Sequence, residues 1–241
     1  MTIKVKDLSV QYENKIIFYN TELEIPNNKL TMLIGANGTG KTTLFKIITK
    51  NIEIKNINIY NDFKKIFLLP QKITYPTGLT LYEYVTSFFY SNSLKWFITE
   101  EEKQQTEKVL EILELSDRKN ILIDNLSSGE LQKANIATAL LSKSDCLFLD
   151  EPTSNMDLIN QIKILEILKK LKNEDITCVM IIHDLNAAAM YGDYFIGINK
   201  DKKIISLEKS EFFTEKNLED IFGIKIKVVK NNDNVTVQFL N

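Results

Sequence analysis

Arginine is nearly absent from this sequence, because Arg118 is the only one among 30 basic side chains. The other basic residues are lysines, and 32 acidic residues bring the formal net charge to −2. A chain with no net positive field does not hold nucleic acid or an anionic membrane through its overall charge. We therefore expect no nucleic-acid partner. We interpret the lysine excess, together with abundant Ile and Asn, as codon bias in an AT-rich genome.

The sequence also has few cysteines and no apolar run long enough for a bilayer. Cys146 and Cys178 each lie inside an apolar stretch, which favours buried strand residues in a reducing compartment over a disulfide or metal pair. No segment reaches the roughly 18 apolar residues of a membrane helix. Residues 1–10 alternate polar and apolar without the apolar centre of a secretion signal. We therefore expect a soluble chain whose role at a membrane depends on a partner.

What the sequence does contain is an alternation of apolar strand-like runs and helical patterns, which predicts a mostly parallel sheet flanked by helices. No low-complexity linker or internal repeat divides it, so we expect one domain. The predicted strands are 30–34, 146–149 and 178–182, with short strands in 3–29 and 52–69. The predicted helices are 42–48, 100–115, 128–142 and 158–171, and residues 224–229 and 235–239 are predicted to pair as a hairpin.

Three of the eight glycines fall in the segment Gly35-Ala-Asn-Gly-Thr-Gly-Lys41-Thr42, which lies between a predicted strand and a predicted helix. Glycine lets successive amides turn inward as a nest of N–H donors, and the helix presents its positive end to the same anion. Lys41 can then reach the β- and γ-phosphates of a nucleotide, and the Thr42 hydroxyl can ligate Mg²⁺. This pattern predicts an ATP site.

Two adjacent carboxylates support this prediction. Asp150 and Glu151 follow the apolar run 146–149, and ligands bind at the carboxyl ends of strands in open α/β sheets. Asp150 would hold the magnesium ion through its hydration shell, and Glu151 would orient and polarise the attacking water. The alternative is a pair of acids that cap a strand at the surface.

A third motif, Leu126-Ser-Ser-Gly-Glu130, resembles the diagnostic loop Leu-Ser-Gly-Gly-Gln of the ATP-binding cassette transporter family. With the motifs in this order, the chain resembles that family's nucleotide-binding subunits from about residue 8 to residue 223. The resemblance implies that Ser127 and the amides near Gly129 grip the γ-phosphate bound by a second subunit. By itself, a serine before a helix is more often an ordinary N-cap.

The resemblance extends to other positions. It implies that Tyr12 stacks on adenine, that Gln71 touches magnesium and senses the membrane partner, and that His183 contacts the γ-phosphate. Residues 154–157 would cross the dimer interface. The predicted catalytic residues are Lys41, Glu151 and His183. The predicted metal ligands are Thr42, Gln71 and Asp150. The predicted ATP-binding residues are Tyr12, Gly35, Asn37, Gly38, Thr39, Gly40, Lys41, Thr42, Thr43, Gln71, Ser127, Ser128 and Gly129.

The implied fold is an α/β P-loop NTPase core with a reduced antiparallel β-subdomain and an inserted helical subdomain. The β-subdomain is expected to be small because the interval from Lys41 to Gln71 is short. The expected division is a core of about 1–78 and 140–223, a helical subdomain of about 79–139 and a hairpin of about 224–241. Ser128, Leu131 and Thr138 depart from the family pattern of glycine, a basic residue and arginine at these positions.

The implied function is the ATP-hydrolysing subunit of a transporter, on the cytoplasmic side of the cell membrane. Its expected partners are a second copy or a paralogous cassette, and polytopic permease subunits, with no direct contact to the solute. Details near Gln71, His183 and residues 218–223 favour importers of iron-siderophore, haem or cobalamin. Alternatives are a manganese or zinc importer and a soluble cluster-assembly ATPase. The aromatic residues Tyr82, Tyr84, Phe88, Phe89, Tyr90, Trp96 and Phe97 form either core packing or a groove for membrane-subunit helices.

Overall fold

The computed structural model describes residues 1–13, 15–55, 57–92, 97–231 and 234–240. Within these ranges the strands are β1 (Thr2–Tyr12), β2 (Lys15–Pro26), β3 (Leu30–Gly35), β4 (Asn58–Asn61), β5 (Ile66–Leu69), β6 (Cys146–Leu149), β7 (Thr177–Ile181), β8 (Tyr194–Ile198), β9 (Ile204–Glu208), β10 (Ile226–Asn231) and β11 (Asn234–Phe239). The helices are α1 (Lys41–Ile48), α2 (Leu81–Asn92), α3 (Glu100–Ile112), α4 (Ser128–Leu141), α5 (Leu158–Leu171), α6 (Leu185–Tyr191), α7 (Lys209–Phe212) and α8 (Glu215–Phe222). Single 3₁₀ turns occupy Ser116–Arg118, Ile123–Asn125 and Lys172–Glu174.

The central sheet has the strand order β5-β6-β7-β3-β8-β9. All its pairings are parallel except that of β8 with β9. Every residue of β3, β6 and β7 is buried, as expected for strands covered on both faces. The predicted α/β fold with a mostly parallel sheet is confirmed. Strands β8 and β9 are not among the elements predicted from the sequence.

Alternate residues of the central strands enter two separate cores. Phe148 of β6 faces α1 and meets Phe45 edge-to-face at 5.0 Å between ring centroids. Its neighbours Leu147 and Leu149 join the opposite core. This alternation has the period of two that strand geometry requires. It fixes α1 against the sheet and thereby positions the loop that precedes α1.

A small antiparallel sheet with the order β2-β1-β4 covers the α1 side. It has three strands in the described residues, in agreement with the expectation of a reduced β-subdomain. A Cβ atom on Gly40 would lie 2.7 Å from Ile17 and 3.1 Å from Phe18 of β2. Gly40 also has φ 104°, which strongly favours glycine. The small sheet therefore packs directly against the glycine-rich loop.

The segment between β5 and β6 is helical. A buried hydrogen-bond chain crosses it, because Tyr84 of α2 donates to Asn135 Oδ1 at 2.8 Å and Asn135 Nδ2 donates to the Tyr75 hydroxyl at 2.7 Å. Helix α3 begins with a capping box between Thr99 and Glu102. The helix predicted over residues 100–115 ends earlier, at Ile112.

The C-terminal strands β10 and β11 form a hairpin. It is attached to α6 through Asn186, whose side-chain amide accepts from Val237 N at 2.8 Å and donates to Val237 O at 3.4 Å. The Asn186 side chain thus supplies hydrogen-bond partners to backbone groups of β11 that would be unpaired at the edge of a sheet.

The aromatic residues of α2 and the following segment divide between core and surface. Tyr84 is buried, and Phe88 and Phe89 pack partly against the core. Tyr90 and Phe97 are exposed, Phe97 to 83%. Trp96 lies outside the described residues. Part of this stripe therefore packs in the core, and another part is exposed at the surface, as a groove for membrane-subunit helices would require.

The two cysteines are free and buried, as expected. Burial raises the pKa of Cys178 to about 12. Among the described residues, no helix combines the length and apolar character that crossing a membrane requires.

Candidate functional site

The site residues lie where neighbouring parallel strands end. Strands β5, β6, β7 and β3 are adjacent and run in the same direction, so their carboxyl ends meet at one edge of the sheet. Gln71 follows β5, Asp150 and Glu151 follow β6, and His183 follows β7. The glycine-rich loop follows β3. The strand order therefore brings together residues that are more than 100 positions apart in the sequence.

The glycine-rich loop turns through two left-handed residues, Gly38 and Gly40. Apart from its chain neighbours, nothing in the described part of the chain lies within 4 Å of a Cβ built on Gly38, so this part of the loop is open to a ligand. The Lys41 ammonium group donates to the carbonyls of Gly35 at 2.9 Å and Ala36 at 3.0 Å. Burial lowers the pKa of Lys41, and the charges of Glu151 and Asp150 oppose that shift.

Thr42 and Asp150 join the loop to the end of β6. The Thr42 hydroxyl donates to Asp150 Oδ2 at 2.7 Å. Burial raises the pKa of Asp150, and the Thr42 hydrogen bond opposes this shift. The other carboxylate oxygen, Oδ1, is buried and has no hydrogen-bond partner among the described residues.

A hydroxyl beside a buried, incompletely bonded carboxylate fits the oxygen ligands that Mg²⁺ prefers. No group of three His, Cys, Asp or Glu side chains that could hold a metal occurs in the part of the chain that the structure describes. A cation at Thr42 and Asp150 would therefore need further oxygens from water or from a phosphate.

Glu151 is held between two side chains from neighbouring strand ends. Gln71 Nε2 donates to Glu151 Oε2 at 2.6 Å, and His183 Nε2 lies 2.7 Å from Glu151 Oε1. Because an ionised carboxylate only accepts, His183 would carry its proton on Nε2. Glu151 also has φ 51°, a backbone conformation that costs a non-glycine residue of order 1–3 kcal/mol and is often found at functional sites.

The remaining loop residues surround this centre. Asn37 is exposed, Thr39 is buried with its hydroxyl on the Ala36 carbonyl at 2.9 Å, and Thr43 is half-buried in the first turn of α1. Tyr12 ends β1 with 72% of its surface exposed. Its ring is thus available to a flat ligand.

The residues Ser127, Ser128 and Gly129 stand apart from this cluster within one chain. Ser127 caps α4 through a capping box with Glu130, so the N-cap alternative is a structural fact. The Ser128 hydroxyl donates to the Asn155 carbonyl at 3.3 Å, in the segment that follows Glu151. Outside the backbone of its own helix and its chain neighbours, no described residue has an atom within 4 Å of a Cβ on Gly129, so the loop is open on that side.

Arg118 is a neighbour of this loop that the sequence reasoning did not place there. Its Nε lies 2.9 Å from Glu130 Oε1. From the sequence, we interpret the single arginine of the chain as a matter of composition alone. The available signal in the sequence was the position of this arginine, twelve residues before Glu130 at the end of the motif 126–130.

The chain is similar to several known proteins. A model of the family described as ABC transporter matches residues 18–154. The uncharacterized ABC transporter ATP-binding protein MJ0089 of Methanocaldococcus jannaschii is 32% identical over 237 residues, covering 93% of this chain and 92% of that protein. The iron(3+)-hydroxamate import ATP-binding protein FhuC of Bacillus subtilis is 31% identical over 242 residues, covering 95% of this chain and 90% of that protein. A solved structure described as an inward-facing metal-chelate type ABC transporter has a TM-score of 0.86 at 23% identity, covering 99% of this chain and 96% of that chain.

Proposed function

The chain belongs to the ABC transporter family as an ATP-binding and ATP-hydrolysing subunit, and on that premise we propose that it powers import of an iron chelate through a membrane permease. The observation that carries the catalytic part of the proposal is the cluster at the sheet edge. Thr42 contacts Asp150, while Gln71 and His183 both contact Glu151. Side chains that follow four neighbouring strands are thereby joined by hydrogen bonds at one edge of the sheet.

We assign Lys41 to the β- and γ-phosphates of ATP. In the free chain its ammonium group is satisfied by two carbonyls of its own loop, and phosphate oxygens would replace them. The amides of residues 38–43 and the amino-terminal end of α1 would complete the cradle. The exposed Tyr12 ring would stack on adenine.

Magnesium is the proposed cofactor, and Thr42 and Asp150 are its proposed holders, with Gln71 nearby. When bound, Mg²⁺ supplies charge neutralisation at the β- and γ-phosphate oxygens. The unpartnered Asp150 Oδ1 supports this assignment, because a buried carboxylate oxygen without a partner is costly unless a ligand or water satisfies it.

Glu151 is the proposed residue that orients the attacking water, and His183 is the proposed contact to the γ-phosphate. The contacts from His183 and Gln71 hold the Glu151 carboxylate in one orientation before substrate arrives. Such positioning contributes strongly in phosphoryl transfer, where the protein has little covalent chemistry to perform.

A second copy of the chain, or a paralogous cassette, would complete each site with Ser127, Ser128 and Gly129. The open space above Gly129 leaves room for a phosphate at the positive end of α4. The segment 154–157 would lie at the same interface. We propose that residues 79–139 act as a helical subdomain that moves with this loop, and that closure of the two copies pulls on the permease.

An iron chelate is the proposed cargo. The Bacillus subtilis relative is described as an iron(3+)-hydroxamate import protein, which supports the importer branch over the manganese or zinc alternative. The chain would sit at the inner face of the membrane through its permease and would not touch the solute itself.

The experiment is to purify the chain with its membrane partner and to measure ATP turnover after reconstitution. An iron chelate delivered by its binding protein should stimulate turnover of the wild-type complex and not of a Lys41→Ala complex. A chain that never co-purifies with a polytopic membrane protein would favour a cluster-assembly role. Stimulation of turnover by free manganese or zinc instead would show that the chain powers a manganese or zinc importer.

A further inference from the structure

The carboxylate of Glu130 lies beside the Ser127 hydroxyl, which is proposed to contact the phosphate bound by a second copy. Ser127 N and Ser127 Oγ both donate to Glu130 Oε2, at 2.9 and 2.8 Å. The hydrogen bond from the Ser127 amide is the main reason that the pKa of Glu130 is lowered, and Arg118 adds to it. The group is therefore a full negative charge at neutral pH, beside the hydroxyl that is proposed to grip a phosphate.

Such a carboxylate opposes phosphate binding in two ways. Its charge repels the phosphate, and it already holds the Ser127 hydroxyl proton that the phosphate needs. Just after this motif, where the family pattern has a basic residue, this chain has Leu131. Further along the helix, where the pattern has an arginine, it has Thr138. The cation that meets Glu130 comes instead from the preceding 3₁₀ turn, as Arg118 with its Nε 2.9 Å from Glu130 Oε1.

We infer that Arg118 is a positioning residue for the two-copy ATP site. Its guanidinium group neutralises the charge of Glu130. When the Ser127 hydroxyl reorients to donate to a phosphate, the Glu130 carboxylate still has its contact with Arg118. The Arg118 contact uses Oε1 while Ser127 uses Oε2, so the two interactions do not compete. The inference rests on the proposed two-copy site and names a residue that the motif comparison does not supply.

The test uses substitutions that separate charge from helix capping. Glu130→Gln removes the charge but keeps the cap, because glutamine also serves at this position of a capping box. Arg118→Ala leaves Glu130 without its cation. Lys119→Ala is the matched control, since Lys119 is the next residue and pairs at 2.9 Å with Glu107 rather than with Glu130.

The readout is the ATP concentration at which half the protein dimerises, measured by analytical ultracentrifugation in a Glu151→Gln background. Arg118→Ala should raise this concentration about fivefold at low salt, the upper range for a partly exposed ion pair. High salt should reduce the difference, because it screens the uncompensated charge. Lys119→Ala should behave as the parent does.

Rescue distinguishes a charge effect from a merely structural one. Arg118→Ala combined with Glu130→Gln should dimerise as readily as Glu130→Gln alone, and binding of a fluorescent ATP analogue to the monomer should stay unchanged throughout. An Arg118→Ala protein that dimerises like its parent, or that Glu130→Gln does not rescue, would overturn the role of Arg118 alone. A Glu151→Gln parent that does not dimerise with ATP would overturn the proposed two-copy site, and the inference with it.

Discussion

At the scale of single residues, the candidate site combines a strained backbone with two buried charged groups. Glu151 has a left-handed backbone, Asp150 Oδ1 lacks a partner, and Lys41 is buried against carbonyl oxygens. The lowered pKa of Lys41 and the raised pKa of Asp150 both arise mainly from burial. A polyphosphate would offset the buried charge of Lys41, and a divalent cation would offset that of Asp150, so the two ligands together would reduce these costs of burial.

Lys41→Ala should weaken ATP binding about tenfold to a hundredfold, since a hydrogen bond to a charged group is worth about 1.5–3 kcal/mol. Titration with a fluorescent ATP analogue measures this change. Lys46→Ala is the control, because Lys46 lies on the same helix and is exposed in its last turn. Equal affinity in the two variants would contradict the phosphate cradle.

The residue types of the site could be predicted from the sequence, but their contacts could not. The glycine-lysine motif at 35–42 and the pair Asp150 and Glu151 can be recognised because their residues are close together in the sequence. The bonds from Gln71 and His183 to Glu151 depend on β5 and β7 flanking β6, and that order is set by long-range pairing. The contact of Arg118 with Glu130 depends in the same way on how a 3₁₀ turn packs against the start of α4.

At the scale of elements, buried strands and their adjoining helices were the most predictable parts. Strand β6 and helix α5 match their predicted residues, because a fully buried strand reads as a continuous apolar run and an amphipathic helix repeats near every 3.6 residues. Helix α3 ends three residues before its predicted end, where Glu114 takes φ 56°. Its apolar pattern continued into the turn, so periodicity alone could not mark the boundary.

The buried chain of Tyr84, Asn135 and Tyr75 should stabilise the packing of α2, α4 and the segment after Gln71. Asn135→Ala should lower the free energy of unfolding by about 1–3 kcal/mol, because it leaves the buried Tyr84 hydroxyl without its acceptor. Denaturant unfolding followed by circular dichroism measures the change.

Two further variants test the cause of that loss. Combining Tyr84→Phe with Asn135→Leu should cost less than Asn135→Ala, since both polar partners of that bond are then replaced by apolar groups. Tyr82→Phe, on the same helix at a half-buried position, should be close to neutral. A destabilisation by Tyr82→Phe as large as that by Asn135→Ala would show that the hydrogen bonds are not the cause.

At the scale of the whole molecule, the chain divides its functional groups between two faces. One cluster, at the edge of the central sheet, contains the groups that we propose for ATP binding and hydrolysis. The other, at the start of α4, forms its own capping box and contacts the segment after Glu151 through Ser128 and Asn155. This division is the physical reason to expect that a single copy binds ATP but that two copies are required for turnover.

The most direct measurement is the behaviour of Glu151→Gln with Mg-ATP, followed as ATP turnover and as mass in solution. Glutamine keeps the shape of the side chain but cannot polarise the water as a carboxylate does. Turnover should therefore fall by at least about a hundredfold, as for loss of a general base, while ATP stays bound and the mass doubles. Rapid turnover by this variant, or a mass that stays monomeric with ATP bound, would contradict the account.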